Sequence, residues 1–247
     1  MNTLAQIDHL KQKISQLRPL SASEVQRLRE EFIIESSYNS NAIEGNTITL
    51  RETVLILKEG MTIAEKPIRE HLDIIGFKDA FNYIYELVAN NEPLTERAIK
   101  DIHSLVLMSN AENRGVYRKI PVRILGAENE PTSPYLIAEE MARLIEKYQQ
   151  KLTALHPLEA ISWLHLAFES IHPFIDGNGR AGRLLLNFEL LKQGYLPVDI
   201  KFTDRAKYYQ CFDEYHQNQQ DVSALLALIA DYELKELEWY LAILENR

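Results

Sequence analysis

One short stretch of this sequence concentrates side chains that can do chemistry. In IHPFIDGNGRAGRLLL, residues 171–186, a histidine, an aspartate, two arginines and three of the chain's nine glycines lie between two apolar runs. The helix that ends near Ile171 delivers His172, Pro173 stops it, and Phe174 can anchor the loop in the core. Asp176, Gly177, Asn178 and Gly179 then turn the chain, and a new helix is expected to begin near Arg180. A Gly-Asn-Gly turn feeding a helix aims backbone N–H groups at one spot, and the helix dipole favours an anion there. Arg180 and Arg183, three apart, share one face of the first turns and suit bidentate phosphate binding. Asp176 is an oxygen ligand beside that spot, as a Mg²⁺ shared with phosphates requires. His172 titrates near neutral pH and can act as a general base. The set describes phosphoryl or nucleotidyl transfer. The same residues would also build a plain helix–loop–helix turn, and it is their crowding into residues 172–183 that weighs toward an anion site.

The elements that must position these groups are helical. Ser21 with Glu24 and Thr49 with Glu52 form capping boxes ahead of VQRLREEFIIESSYNSNAIE and TVLILKEG, and Gly45 follows the first of these helices. Further helical periods run through IREHLDIIGFKDAFNYIYELVAN, TERAIKDIHSLVLM, PYLIAEEMARLIEKYQQ, PLEAISWLHLAFESI, RLLLNFELLKQG and DVSALLALIADYELKELEWYLAILE. Pro134 and Pro157 sit at first-turn positions. LLLNFELL is apolar nearly all round, which predicts a central, buried helix. One segment breaks the pattern: KIPVRILGAENEPTSP, with β-branched residues and then Gly126, reads as a short hairpin or flap. The expectation is one all-α domain with that hairpin, carrying a helical extension over residues 1–60 ahead of a core over 61–247.

The 247 residues suffice for a real core, with 46% apolar and 26% charged residues. A net charge of −9 without a Lys/Arg-rich block argues against nucleic acid as a partner. The single Cys211 excludes an internal disulfide framework and reads as a small core residue. The N-terminal residues show no apolar signal-peptide core and no run is long enough to cross a bilayer, so a soluble, cytoplasmic protein without a membrane partner is expected.

HPFIDGNGRAGR resembles the signature of the Fic family, H-x-F-x-[D/E]-G-N-G-R-x-x-R, with every fixed position filled. The resemblance implies a Fic-type helical bundle that transfers AMP from ATP to a Ser, Thr or Tyr hydroxyl of a target protein. It implies that His172 takes the hydroxyl proton and Asp176 holds Mg²⁺ on the α- and β-phosphates. Gly177, Asn178 and Gly179 would form the anion nest, Arg180 and Arg183 would bind phosphate, and Arg183 would meet the γ end. Phosphotransferring relatives carry Lys where this chain has Gly179, which argues against a kinase reaction.

SYNSNAIEGN resembles the inhibitory helix pattern [S/T]-x-x-x-E-[G/N], filled by Ser40, Glu44 and Gly45. Ser40 and Glu44 are i,i+4 and share a helix face. A Glu44 carboxylate paired with Arg183 would occupy the guanidinium that orients the γ-phosphate, so nucleotide would bind unproductively. In some relatives the same Glu positions water to remove AMP. RGVYRKIPVRILGAENEP resembles the family's flap, placing Leu125 and Gly126 over the nucleotide and a target peptide along the flap. DRAKYYQCF resembles the region that walls the adenine, which makes Tyr208 the candidate, with Asn218 or its rival His216 following.

Other residues carry plainer readings. His165 has no further ligands at zinc spacing and reads as a satisfied helix histidine, while Trp163 and Trp239 read as core. An exposed helix stripe could also serve a homodimer, which no sequence feature requires. Two other functions stay open on the sequence: a non-catalytic nucleotide-binding regulator, and transfer of another nucleotide.

Overall fold

A computed structural model describes residues 3–124 and 130–245. Ten α-helices form among them: α1 (Thr3–Ser15), α2 (Ala22–Ile43), α3 (Leu50–Glu59), α4 (Ile68–Ala89), α5 (Glu96–Val106), α6 (Ile137–Ala154), α7 (Pro157–Ile171), α8 (Asn178–Lys192), α9 (Arg205–Gln217) and α10 (Ser223–Glu245). Single 3-10 turns at Pro134–Leu136 and Phe202–Asp204 lead into α6 and α9. The helix starts follow the caps read from sequence. The Glu24 carboxylate accepts the Ser21 N–H at 2.9 Å, and the Glu52 carboxylate accepts that of Thr49 at 2.7 Å, closing both capping boxes. Pro157 opens α7 at its first position.

α8 is the axis of the fold. Leu184, Leu185, Leu186, Phe188 and Leu190 are all buried, as the all-round apolar pattern requires. α7, α4, α5 and α2 pack around it, α6 covers α7, and α10 joins α1, α7 and α9. α4 and α5 approach closely because Gly76 has no Cβ; one built there would lie 2.3 Å from the Leu105 carbonyl oxygen. Trp163 belongs to the core, but Trp239, expected there too, is half exposed. It lies on the outward side of α10, whose buried positions are instead Leu225, Leu228, Ile229, Leu237 and Leu241.

The expected hairpin is also corrected in part. Among the described residues between α5 and α6 no strand forms. A side chain does the joining that a ladder would have done: Arg118 donates to the carbonyls of Ile120, at 3.1 Å, and of Thr132. The flap tip, with Leu125 and Gly126, lies outside the described residues.

Candidate functional site

His172 sits at the C-terminal cap of α7 with φ 51°, a left-handed conformation that costs a non-glycine residue on the order of 1 kcal/mol or more. Three bonds hold it there. Its N–H donates to the Phe168 carbonyl at 3.0 Å, and its own carbonyl accepts Arg118 Nε at 2.8 Å. The Arg118 N–H in turn donates to the Pro173 carbonyl at 2.9 Å. Burial, and then the Arg118 charge, lower the His172 pKa to about 4, so its imidazole is neutral at neutral pH. A neutral ring is the form a base must have.

The loop after it is pinned by side chains. Phe174 is fully buried and stacks on the His103 ring, 3.6 Å between centroids. His103 Nδ1 accepts the Gly115 N–H at 2.9 Å, which leaves Nε2 as the donor to the Asp176 carbonyl at 2.8 Å. The Asn178 side chain closes the loop on itself: its oxygen accepts the Phe174 N–H and its amide donates to the Phe174 carbonyl, each at 2.9 Å. Asn178 therefore shapes the nest, and only its main chain is left for a ligand.

The three glycines have different reasons. Gly177 caps α8 at φ 77°, where a side chain would be strained. Gly179 and Gly182 are ordinary helical residues that make room. A Cβ on Gly179 would lie 2.3 Å from the Glu44 carboxylate, and one on Gly182 would lie 2.2 Å from that of Glu169. Both are acids laid against the first turns of α8.

Arg183 is buried and held by the end of α2. Its Nε donates to Ser40 Oγ at 2.9 Å, and its Nη2 donates to the Ser40 carbonyl at 2.8 Å and to Glu44 Oε1 at 2.7 Å. Burial works against its charge, and Glu44 and Tyr208 outweigh that and raise its pKa. Arg180 parts company with it. Rather than sharing a ligand-facing stripe, Arg180 is buried at 2.9 Å from Asp73 and donates to Asn41 at 3.3 Å. The two arginines, three positions apart, take different acids: Asp73 of α4 for Arg180, and Glu44 at the end of α2 for Arg183.

Two cavities result, and Glu44 lines both. One, of about 320 Å³, is walled by Glu44, Glu169, His172, Gly179, Arg183 and the aromatic face of α9. The other, of about 300 Å³, is walled by Glu44, Arg69, Asp73, Asp176 and Arg180. The set read as one constellation thus stands on two sides of one carboxylate. Asp176 faces Arg69, whose Nη2 donates to Oδ2 at 2.6 Å, while Oδ1 accepts the Gly177 N–H at 2.7 Å.

On α9 the expectations sort unevenly. Tyr208 lines the first cavity, but it is 1% exposed and its hydroxyl is paired with His165 Nε2 at 2.7 Å. His165 donates from Nδ1 to the Gly182 carbonyl at 3.0 Å, so it is the satisfied core histidine its spacing suggested. Tyr209, Phe212 and His216 complete that wall, and Asn218, at the end of α9, does not reach it. Of the two candidates after Tyr208, the geometry favours His216. Sequence reasoning missed His103, Arg118, Arg69, Asp73 and Glu169. For Glu169 a signal existed: an acid inside the apolar run WLHLAFESIHPF.

Comparison with known proteins agrees with this geometry. Residues 93–190 match the Fic/DOC family. The chain is 32% identical over 246 residues to "Protein adenylyltransferase Fic" of Nematostella vectensis, covering 97% of this chain and 56% of that protein. It is 34% identical over 227 residues to the protein of the same name in Drosophila persimilis, covering 90% and 43%. The chain spans about half the length of these curated relatives. Among solved structures, a Fic domain containing signaling protein from Bacteroides thetaiotaomicron superposes with a TM-score of 0.86 at 25% identity, covering 96% of this chain and 94% of that one. Fic-1 from C. elegans superposes with a TM-score of 0.86 at 26% identity, covering 99% and 72%. A loop clamped behind a left-handed histidine, a helix start with its glycines, and these likenesses point the same way: residues 93–190 match the Fic/DOC family.

Proposed function

We propose that this chain transfers AMP from ATP to a hydroxyl side chain of a target protein and that Glu44 restrains it. The observation that carries the reading is the first cavity. It brings a neutral, half-buried His172 together with Gly179 at the start of α8 and with Arg183. In the reaction the target's O–H bond breaks and its proton goes to His172. The oxygen bonds to the α-phosphorus, and the α–β bridging bond breaks with its electron pair leaving on pyrophosphate. First-turn N–H groups of α8 hold the phosphate oxygens, and Arg183 holds the far end once Glu44 releases it. The likeness to proteins named adenylyltransferases supports AMP as the transferred group.

Glu44 stands as the partition between the side that holds His172 and the side that holds Asp176. A triphosphate reaching from one to the other must pass where its carboxylate lies. Residues 1–60 then act as a restraining segment on the unit formed by residues 61–247. The same carboxylate, which lines the first cavity, would orient a water for AMP removal. Incubation with ATP labelled at the α-phosphate, and separately at the γ-phosphate, tests the reading. Label from the α position alone should reach protein, while γ label reaching protein would replace AMP transfer by phosphoryl transfer.

The residues around Asp176 fit a hard cation that brings its own oxygens. One carboxylate plus phosphates is the habit of Mg²⁺, and no cluster of three acidic, His or Cys ligands exists among the described residues to hold it without nucleotide. Bound there, Mg²⁺ would neutralise charge on the α- and β-phosphates. Arg69 presently takes the Asp176 oxygen such an ion needs. Its side chain is largely exposed and has Asp73 within 3.9 Å as another partner. Arg69→Ala should therefore tighten Mg²⁺ binding in the presence of a non-hydrolysable ATP analogue by about two- to fivefold, the worth of an exposed ion pair. Titration calorimetry measures it, and an unchanged or weaker affinity would show that Arg69 helps the metal rather than competing with it.

A further inference from the structure

Glu169 is an acid of the first cavity to which neither the family signature nor the restraining helix assigns a task, and the one that lies against His172. It lies on α7 one turn before His172, with its side chain 11% exposed. Its Oε1 is buried and without a hydrogen-bond partner, and so is His172 Nδ1. Glu169 Oε2 stands 3.9 Å from that Nδ1. A buried ring nitrogen without a partner is costly, and the Glu169 carboxyl is the side-chain acid beside it. The room for the carboxyl is built in, because Gly182 offers no Cβ where Oε1 lies. The His172 main chain is fixed by Arg118 and Phe168, so the ring's remaining freedom is rotation about its own side-chain bonds.

We propose that Glu169 is a positioning residue that holds the His172 ring with Nδ1 protonated and Nε2 bare, the tautomer that can take the hydroxyl proton. This rests on the transferase reading of the same site. In the step, the hydroxyl proton moves to Nε2, Nδ1 keeps its own proton, and none passes to Glu169, whose carboxyl stabilises the imidazolium that forms. Its chemistry suits that task. Burial pushes the Glu169 carboxyl up to about 8, so it rests neutral and keeps its own proton, and its carbonyl oxygen accepts the Nδ1–H without taking it. The competing acceptor for Nδ1 is the Glu169 peptide carbonyl, which raises the basicity of the ring but makes no hydrogen bond to it as placed.

The test uses the full chain carrying Glu44→Gly, labelled with ¹⁵N-histidine, with Glu169→Gln and Glu169→Ala added in turn. Ring nitrogen shifts of His172 at neutral pH, without nucleotide, report the tautomer. The parent and Glu169→Gln, which keeps an acceptor, should show protonated Nδ1, and Glu169→Ala should move to a mixture. In parallel, kcat should fall about tenfold or more in Glu169→Ala, with the KM for ATP within about twofold and most activity restored in Glu169→Gln. An unchanged tautomer in Glu169→Ala overturns the proposal and gives the role to the peptide carbonyl. A Glu169→Gln as impaired as Glu169→Ala overturns it too. Should alanine unfold the chain, Glu169→Asp, which draws the carboxyl back by one methylene, gives the same readout. The tautomer is read without turnover, so a parent that transfers no AMP would end the transferase reading while leaving the question of Glu169 decided.

Discussion

Glu44→Gly is expected to raise the initial rate of AMP transfer roughly a hundredfold, the order of gain when a reacting group moves from a displaced to an aligned position. The argument is geometric. Glu44 Oε1 lies 2.7 Å from Arg183 and would lie 2.3 Å from a Cβ on Gly179, so the carboxylate fills the ground over the first turn of α8. Nothing else need move for that ground to open. The Ser40 bonds to Arg183 remain, and they keep the guanidinium turned toward the cavity. Incorporation of α-labelled ATP into protein measures the effect, and Glu44→Gly combined with Arg183→Ala should lose most of the gain. Equal rates for wild type and Glu44→Gly would remove Glu44 from the control of this site.

His172→Ala, made in the Glu44→Gly background, is expected to lower transfer by about 10²- to 10⁴-fold, the range for a lost general base. Nucleotide binding should survive, because the ring is not among the groups that hold phosphate. The pH profile gives an independent check. With the His172 pKa lowered to about 4 by burial, the base is unprotonated above that value. The kcat/KM of Glu44→Gly should stay level between about pH 5 and 8 and fall only as the pH drops through 4. A profile already falling near 6.5 would mean an exposed, ordinary histidine, contrary to the burial seen here. Persistence of the rate in His172→Ala would assign the proton to another group.

Much of this site was readable in the sequence because its determinants are local. Caps at Ser21 and Thr49, prolines at helix starts and the apolar α8 follow from neighbours within one or two turns. The pairing of Glu44 with Arg183 crosses 139 positions, and only the resemblance of both motifs to one family brought the two together. What stayed hidden depends on helix packing. The ion pair of Arg180 with Asp73, which arrives from α4, is one such contact. The Arg118 clamp and the His103 bridge join residues 54 and 73 positions apart through main-chain oxygens, to which a sequence gives no address. Tyr208 lines the first cavity, and the inward bond of its hydroxyl to His165 joins residues 43 positions apart, which spacing could not show.

The glycines at 179 and 182 leave a last consequence, for how variation at this site is to be interpreted. Their emptiness is the mould of two acids, Glu44 and Glu169, that arrive from α2 and α7. Substitution at either position is therefore epistatic. An alanine at 179 acts first on Glu44 and displaces the partition, and an alanine at 182 acts first on Glu169. Each harms or frees the protein according to whether its acid is present, so the helix start and its two distant tenants vary as coupled pairs.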